Sequence, residues 1–275
     1  MNVTTDPIET KLVAFDLDDT LAPSKTPIGV EMAAALLQLL DGYEVLVISG
    51  GNVGQFRTQL LQPLGGSEQL ARLHLMPTCG TRYLRFDSGE WVEVYALDLP
   101  ERDRVAAAEV LECVARTLGL WEPDAAVRGP RIEDRGTQVT FSALGQQAPP
   151  ELKRTWDPDG SKRESLRRAV AALLPGLEVR SGGSTSIDVT AHGVDKAYGM
   201  SRMLELRDLD PRQVLFVGDR LDPGGNDHPV IATGVRTRAV RDEDETLEVI
   251  HDLLAPGTAG RSSTVRAPAL ARDHH

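Results

Sequence analysis

Apolar and polar positions follow two rhythms along this chain. Leu12 to Phe15 is an unbroken apolar run, the pattern of a strand buried on both faces, and it leads directly into Asp16-Leu17-Asp18-Asp19-Thr20. Residues 28–40 carry a helical period, and Tyr43 to Ile48 is a second apolar run. A helix is expected over 53–61, after Ser49-Gly50-Gly51-Asn52, and Leu73 to Met76 reads as another strand. Thr81 to Phe86 and Trp91 to Tyr95, around Asp87-Ser88-Gly89-Glu90, read as a hairpin. Strands alternating with helices in this way predict a parallel sheet.

The rhythm then changes. An alanine-rich helix is expected over 102–118, and a hairpin from Ile132 to Phe141. Further helices start at Pro149-Pro150 and after Asp159-Gly160-Ser161, the second ending near Leu174, and strands are expected at 177–180 and 185–189. Residues 88–190 therefore predict an α+β domain inserted between two halves of the parallel one, 1–87 and 191–254. The parallel pattern resumes with a helix over 196–206, an apolar strand over 213–217, and a last strand and helix reaching Leu254. The tail, 255–275, is rich in Ala, Gly, Ser, Arg and Pro and is expected to be disordered. The fold class is α/β: a Rossmann-like core with a parallel sheet, carrying an inserted α+β unit.

Composition narrows the partners. A hydrophobic share of 41% and a charged share of 26% are those of a soluble globular protein. The net charge of −11 argues against nucleic acid and anionic membranes, and 4% aromatic residues leave little for base stacking. No apolar run approaches the roughly 18 residues of a membrane span, and no signal peptide is visible, so the expected location is cytoplasmic. Cys79 and Cys113 form no disulfide framework; Cys79 is expected to be a buried structural thiol. His274 and His275 read as a tag remnant.

The chemistry lies at the strand ends. Asp16 and Asp18 are two residues apart, where a strand points both to one side, and their charges need balancing. A divalent cation would do it, or a raised pKa that keeps one acid protonated. In an open parallel sheet, ligands bind beyond the carboxyl ends of the strands. There the pattern gathers Asp16 and Asp18, Ser49 with Gly50, Asp219, and Lys196 at the start of a helix. Carboxylates from separate strands suit Mg²⁺, and a nearby lysine suits a phosphoryl group. One carboxylate can attack phosphorus, and a second can move the proton.

These pieces resemble the four motifs of the haloacid-dehalogenase superfamily: Asp16-Leu17-Asp18-Asp19-Thr20, then Ser49, Lys196, and Gly218-Asp219 with Asn226-Asp227. The insertion resembles that superfamily's C2-type cap. A closer similarity is to the eukaryotic-type phosphomannomutases. It is carried by Gly182-Gly183-Ser184-Thr185-Ser186-Ile187-Asp188-Val189 with Gly193-Val194-Asp195-Lys196, and by Gly218-Asp219-Arg220-Leu221-Asp222-Pro223-Gly224-Gly225-Asn226-Asp227. Gly50-Gly51-Asn52 with Gln59-Leu60 adds to it.

The resemblance implies Asp16 as nucleophile, Asp18 as acid and base, Thr20, Ser49, Gly50 and Lys196 around the phosphoryl group, and Mg²⁺ held by Asp16, Asp18 (through its carbonyl) and Asp219. Asp222, Asn226 and Asp227 are candidates for the metal or for orienting Lys196. His192 and His228 are not expected to be ligands. In the cap, Arg135, Gln146, Lys153, Arg154, Ser186 and Asp188 fall on positions that touch the sugar or its distal phosphate. Gln146 stands where the family has an arginine, and Lys25 likewise in the loop after the first motif. A mutase must hold a bisphosphate intermediate through a half-turn, so a lost arginine favours a sugar-phosphate phosphatase as the expected function. A phosphomannomutase or other hexose phosphate mutase is the alternative, and a non-catalytic sugar-phosphate sensor the second. The expected partner is a small phosphorylated sugar, with a homodimer among the possible assemblies.

Overall fold

The computed structural model describes residues 9–255. The expected tail, beyond Ala255, and residues 1–8 lie outside them. In chain order the elements begin with β1 (Leu12–Phe15), α1 (Val30–Gly42), β2 (Glu44–Ile48), α2 (Val53–Phe56), α3 (Gln62–Leu64), β3 (Leu73–Met76), β4 (Arg82–Asp87) and β5 (Glu90–Ala96). They continue with α4 (Glu101–Thr117), β6 (Ile132–Asp134), β7 (Gln138–Ser142), α5 (Pro150–Trp156), α6 (Ser161–Leu173), β8 (Glu178–Ser181) and β9 (Ser186–Thr190). The last are α7 (Lys196–Arg207), β10 (Val214–Gly218), β11 (Arg236–Ala239) and α8 (Glu243–Leu254). Among the described residues no helix is long and apolar enough to cross a membrane.

Seven strands form one sheet in the order β11-β10-β1-β2-β3-β4-β5. The first five are parallel, and β4 and β5 are antiparallel additions. The central strand β1 is buried throughout. Val13 and Phe15 pack on one side with Met32, Leu36 and Ile250, while Leu12 and Ala14 pack on the other with Met200 and Met203. Helices cover both faces, which is why the parallel strands read as continuous apolar runs rather than alternating ones. Phe15 pairs with Val47 on one side and Val217 on the other. This register brings Asp16, Ser49 and Asp219, each just beyond its strand, to one edge of the sheet.

The hairpin of β4 and β5 turns on Ser88 (φ 53°) and Gly89 (φ 89°). Two left-handed residues in a two-residue loop match the twist of the flanking strands. The expected start of the inserted unit at 88 is corrected by this pairing: β5 extends the core sheet, and the inserted elements begin with α4. A hairpin has the same local pattern wherever it docks, so its antiparallel signal does not by itself mark a domain change; here β4 pairs with β3 of the core. The helix expected over 53–61 also differs, since it continues to Leu64 through a π turn at Arg57–Leu61.

The inserted unit is a four-stranded antiparallel sheet, β6-β7-β9-β8. Val139, Phe141, Ile187 and Val189 pack against Leu111 of α4 and Leu166 and Val170 of α6. The alternate residues, Gln138, Thr140, Ser142, Ser186 and Asp188, make the other face polar. Gln138, Thr140 and Ser142 are nonetheless buried. Contacts from this unit to the core, such as Thr137 Oγ1 to Thr78 Oγ1 at 2.9 Å, tie the two together.

Helix α7 is set by a close approach of backbone. Gly199 lies one turn after Lys196 and faces the Thr78–Gly80 turn, where Thr78, Cys79 and Gly80 all have positive φ. A Cβ at Gly199 would stand 2.7 Å from the Cys79 carbonyl oxygen and 2.5 Å from Ile48 Cδ1. Replacing Gly199 by alanine is therefore expected to destabilise the fold by about 1–3 kcal/mol, the cost of overpacking. Gly66→Ala, with open space around its Cβ, serves as the control in urea unfolding. Equal midpoints for the two variants would contradict this packing account.

Candidate active site

The deepest part of the site is a buried cluster of charge. Asp16 follows β1, and its backbone N–H donates to the Val217 carbonyl at 3.0 Å. Lys196, the first residue of α7, donates from Nζ to carboxylate oxygens of both Asp16 and Asp227. All three side chains are buried. Asp227 also accepts from the Arg220 backbone N–H at 3.0 Å, so its other oxygen is satisfied. Asp219 lies beside them, and Thr20 Oγ1 donates to it at 3.4 Å.

The helix start that carries Lys196 is itself fixed. Asp195 caps α7, accepting from the Tyr198 backbone N–H at 3.0 Å, and its second oxygen accepts from Arg180 of β8 at 3.0 Å. An N-cap aspartate satisfies a free helix-end donor. Here it also links the inserted sheet to the helix that bears the lysine.

Burial raises the pKa of Asp16 well above the usual carboxylate value. Asp227 and Asp219 add to this, and the Lys196 charge opposes it. Burial and Asp227 push Asp219 up to about 6. Burial would depress Lys196, but Asp16 and Asp227 outweigh it and hold its pKa above the ordinary lysine value. Oxygens of Asp16, Asp219 and Asp227 lie within 4.8 Å of one another. With these carboxylates ionised, one ammonium leaves an excess of negative charge. An all-oxygen donor set with that excess fits a hard divalent cation.

Ser49 is buried beside this cluster, and its Oγ accepts from the Gly51 backbone N–H at 3.2 Å. Gly50 offers its carbonyl to Arg135 at 2.7 Å. The Asp18 carboxylate stands apart from the metal-type cluster. Its Oδ1 accepts from the Lys25 backbone N–H at 2.7 Å and from Gln59 Nε2 at 3.2 Å, and its Oδ2 accepts from Gln55 Nε2 at 2.8 Å.

A second group, of positive charge, gathers around Gln146. Lys25 Nζ donates to Gln146 Oε1 at 2.8 Å and to the Gln146 carbonyl at 3.2 Å. Lys153 Nζ donates to the same carbonyl at 2.9 Å, and an Arg135 amine lies 3.5 Å from Gln146 Oε1. Burial, with Lys25 next to it, brings the Lys153 pKa down to about 7. Burial and Arg135 lower that of Lys25. Arg135 is paired with Glu133, which in turn accepts from Asn52 Nδ2 at 2.5 Å.

The remaining candidates are placed differently. Asp188, on the polar face of β9, accepts from Thr140 Oγ1 at 2.7 Å, and burial raises its pKa while Arg135 opposes this. Ser186 lies on the same face, partly buried. Arg154 is exposed. Asp222 is exposed and paired with Arg220 at 3.2 Å, and Asn226 is exposed. Of the three acceptor candidates in that loop, Asp227 alone joins the cluster. His192 and His228 are exposed, bonded to Glu178 and to the Leu221 carbonyl. Cys79 is partly exposed, its thiol pushed up to about 12 by burial. Gln55 and Asp195 were missed by sequence reasoning. Asp195 had an N-cap signal before Lys196, and Gln55 shares a helix face with Gln59.

Comparison with known proteins bears on this geometry. Residues 124–256 match the family model described as eukaryotic phosphomannomutase. The chain is 26% identical over 257 residues to phosphomannomutase 1 of Mus musculus, covering 90% of this chain and 94% of that one. It is 23% identical over 250 residues to a phosphomannomutase of Saccharomyces cerevisiae, covering 88% and 93%. A haloacid dehalogenase-like hydrolase from Bacteroides thetaiotaomicron superposes with a TM-score of 0.60 at 19% identity, over 89% of this chain and all of that one. The chain is thus similar to the phosphomannomutases over nearly its whole length and shares the fold of a haloacid dehalogenase-like hydrolase. IMP-bound IMP-nucleotidase of Plasmodium falciparum shares that fold, with a TM-score of 0.65 at 14% identity over 90% of this chain and 68% of that one. The protein is an enzyme of phosphoryl transfer, a phosphatase or phosphomutase.

The charge balance of the cluster is testable. Lys196→Met would leave buried carboxylates uncompensated and is expected to cost about 3–5 kcal/mol in urea unfolding at pH 7. Added Mg²⁺ should recover part of that loss in the variant. A variant as stable as wild type in chelator would contradict the charge account.

Proposed function

We propose that the protein is a hexose phosphate mutase of the phosphomannomutase type. The carrying observation is the second group, around Gln146. Gln146 Oε1 is taken up by Lys25 and Arg135, and Gln146 Nε2 is buried with no hydrogen-bond partner among the described residues. Lys25 and Lys153 have no carboxylate within ion-pair distance among the described residues. The unspent groups there are donors, the requirement for holding a phosphate. A phosphatase needs one anion site, whereas a mutase needs two, because its intermediate carries two phosphates.

This favours the mutase over the phosphatase expected from Gln146. The glutamine does remove a cation relative to the family pattern. It also collects two lysines and Arg135 around itself, so the distal site keeps positive charge. The relatives named phosphomannomutase support the same reading over nearly their whole length.

In the proposed mechanism Asp16 attacks phosphorus as the P–O bond to the sugar breaks, and the departing sugar oxygen takes a proton from Asp18. In the return step the free hydroxyl of a bound hexose monophosphate bonds to that phosphorus, Asp18 takes its proton, and the P–O bond to Asp16 breaks, so that a bisphosphate forms. Lys196 offsets charge on Asp16 and the phosphoryl oxygens, with Ser49, Gly50 and Thr20 around them. Mg²⁺, held by Asp16 and Asp219 and the Asp18 carbonyl, with Asp227 adjoining, would supply charge stabilisation at the phosphoryl oxygens. Lys25, Arg135, Lys153 and Gln146 hold the distal phosphate while the polar face with Ser186 and Asp188 meets the sugar hydroxyls.

The assay supplies mannose 1-phosphate with a catalytic trace of hexose 1,6-bisphosphate and Mg²⁺, and follows mannose 6-phosphate and free phosphate. Isomer should form well ahead of free phosphate, and chelator should stop it. Free phosphate without isomer would overturn the mutase reading. Lys153→Met should raise the bisphosphate concentration needed for half-maximal rate by about 10- to 100-fold, the loss of a charge-assisted hydrogen bond. The measurement is isomer rate against bisphosphate concentration, and an unchanged curve would remove Lys153 from the distal site.

A further inference from the structure

We propose that Gln55 and Gln59 are positioning residues for Asp18, aiming its carboxylate at the oxygen that gains or loses the proton. The inference rests on the acid–base role of Asp18 in the proposed function. Both Asp18 oxygens are engaged by donors from outside the carboxylate cluster: Gln55 Nε2 on one, Gln59 Nε2 and the Lys25 backbone N–H on the other. Asp18 is thereby held on the Lys25 side of the site, apart from the group formed by Asp16, Asp219 and Asp227.

The orientation of each glutamine supports a dedicated role. Gln59 is buried, and its Nε2 also donates to the Thr26 carbonyl at 2.9 Å. Turning its amide over would set an oxygen against a carboxylate and a carbonyl, so only one orientation is tolerated. Its Oε1 is buried without a hydrogen-bond partner among the described residues, so its side chain is committed through the donor end. The π turn at Arg57–Leu61 contains Gln59, and such turns are frequent at functional sites. Gln55 is accommodated by a glycine: a Cβ on Gly51 would stand 2.3 Å from Gln55 Oε1 and 2.6 Å from its Cδ. The Ser49-Gly50-Gly51-Asn52 loop thus leaves room for the amide that reaches Asp18.

Proton transfer is sensitive to the placement of the acid, and a misplacement of about 1 Å can cost on the order of 100-fold. The need for an acid depends on the leaving group, which separates positioning from a general structural role. The experiment measures first-turnover rates with enzyme in excess, using p-nitrophenyl phosphate and mannose 1-phosphate. The nitrophenolate departs without a proton, whereas the sugar oxygen requires one. Gln55→Leu, Gln55→Glu, Gln59→Leu and Asp18→Asn are compared with wild type. Gln55→Glu keeps the shape and loses the donor, so it bears on positioning even where a leucine disturbs packing.

The expected result is a loss of about 10- to 100-fold on mannose 1-phosphate for the glutamine variants, with a loss below about threefold on p-nitrophenyl phosphate. Asp18→Asn should show the same dependence, more strongly. Equal losses on both substrates in the glutamine variants, or none on either, would overturn the positioning role if Asp18→Asn keeps its dependence. Equal losses in Asp18→Asn would instead overturn the acid–base assignment of Asp18. A wild-type enzyme that consumes neither substrate would overturn the functional reading beneath both.

Discussion

The structure depends on one buried ammonium group set among carboxylates. Lys196 holds Asp16 and Asp227 together in a place where each acid would otherwise be costly to ionise. The surrounding architecture serves that contact. β1 ends where Asp16 must stand, and its register with β2 and β10 brings the neighbouring strand ends level. Gly199 and Gly80 let α7 come close enough for its first residue to reach the cluster. Asp195 fixes the start of that helix and takes a bond from Arg180 of the inserted sheet. The charge that remains after Lys196 is counted fits a hard divalent cation.

The inserted sheet answers the negative pole with a positive one. Its apolar face is used up in packing against α4 and α6, and its polar face carries buried hydroxyls and an amide, with Ser186 and Asp188 partly buried. Lys25 comes from the core and Lys153 from α5, yet both meet at Gln146. A phosphorylated ligand that spans the two poles would be held at both ends by opposite means, metal and lysine at one, lysines and arginine at the other. Arg135 and Asn52, joined through Glu133, tie the inserted unit to the loop after β2.

Much of the core was legible because its signals are local. The apolar runs of β1, β2, β3 and β10 follow from burial on both faces, and the acids lie directly after strands. The hairpin of β4 and β5 was equally legible as a hairpin, but which sheet it joins depends on a pairing with β3 that no local pattern encodes. The loop after β10 shows the same limit. Asp222, Asn226 and Asp227 are alike in type and spacing, and only the turn through Gly225, packed against the Arg220 backbone, puts Asp227 inside and the other two in solvent. Gln146 read as a lost charge because a sequence does not show what gathers around a side chain.

The sequence by itself determined the α/β class, the order of the elements and the acids, hydroxyl and lysine at the strand ends. Periodicity and strand-end chemistry are properties of neighbouring residues, and so they survive without a fold. Tertiary structure alone decided which acid pairs with Lys196, that Asp18 is held by two glutamines, and that two lysines from distant segments share one glutamine. Those are contacts between residues far apart in the chain, set by sheet register, a glycine-to-glycine approach and the docking of the inserted unit.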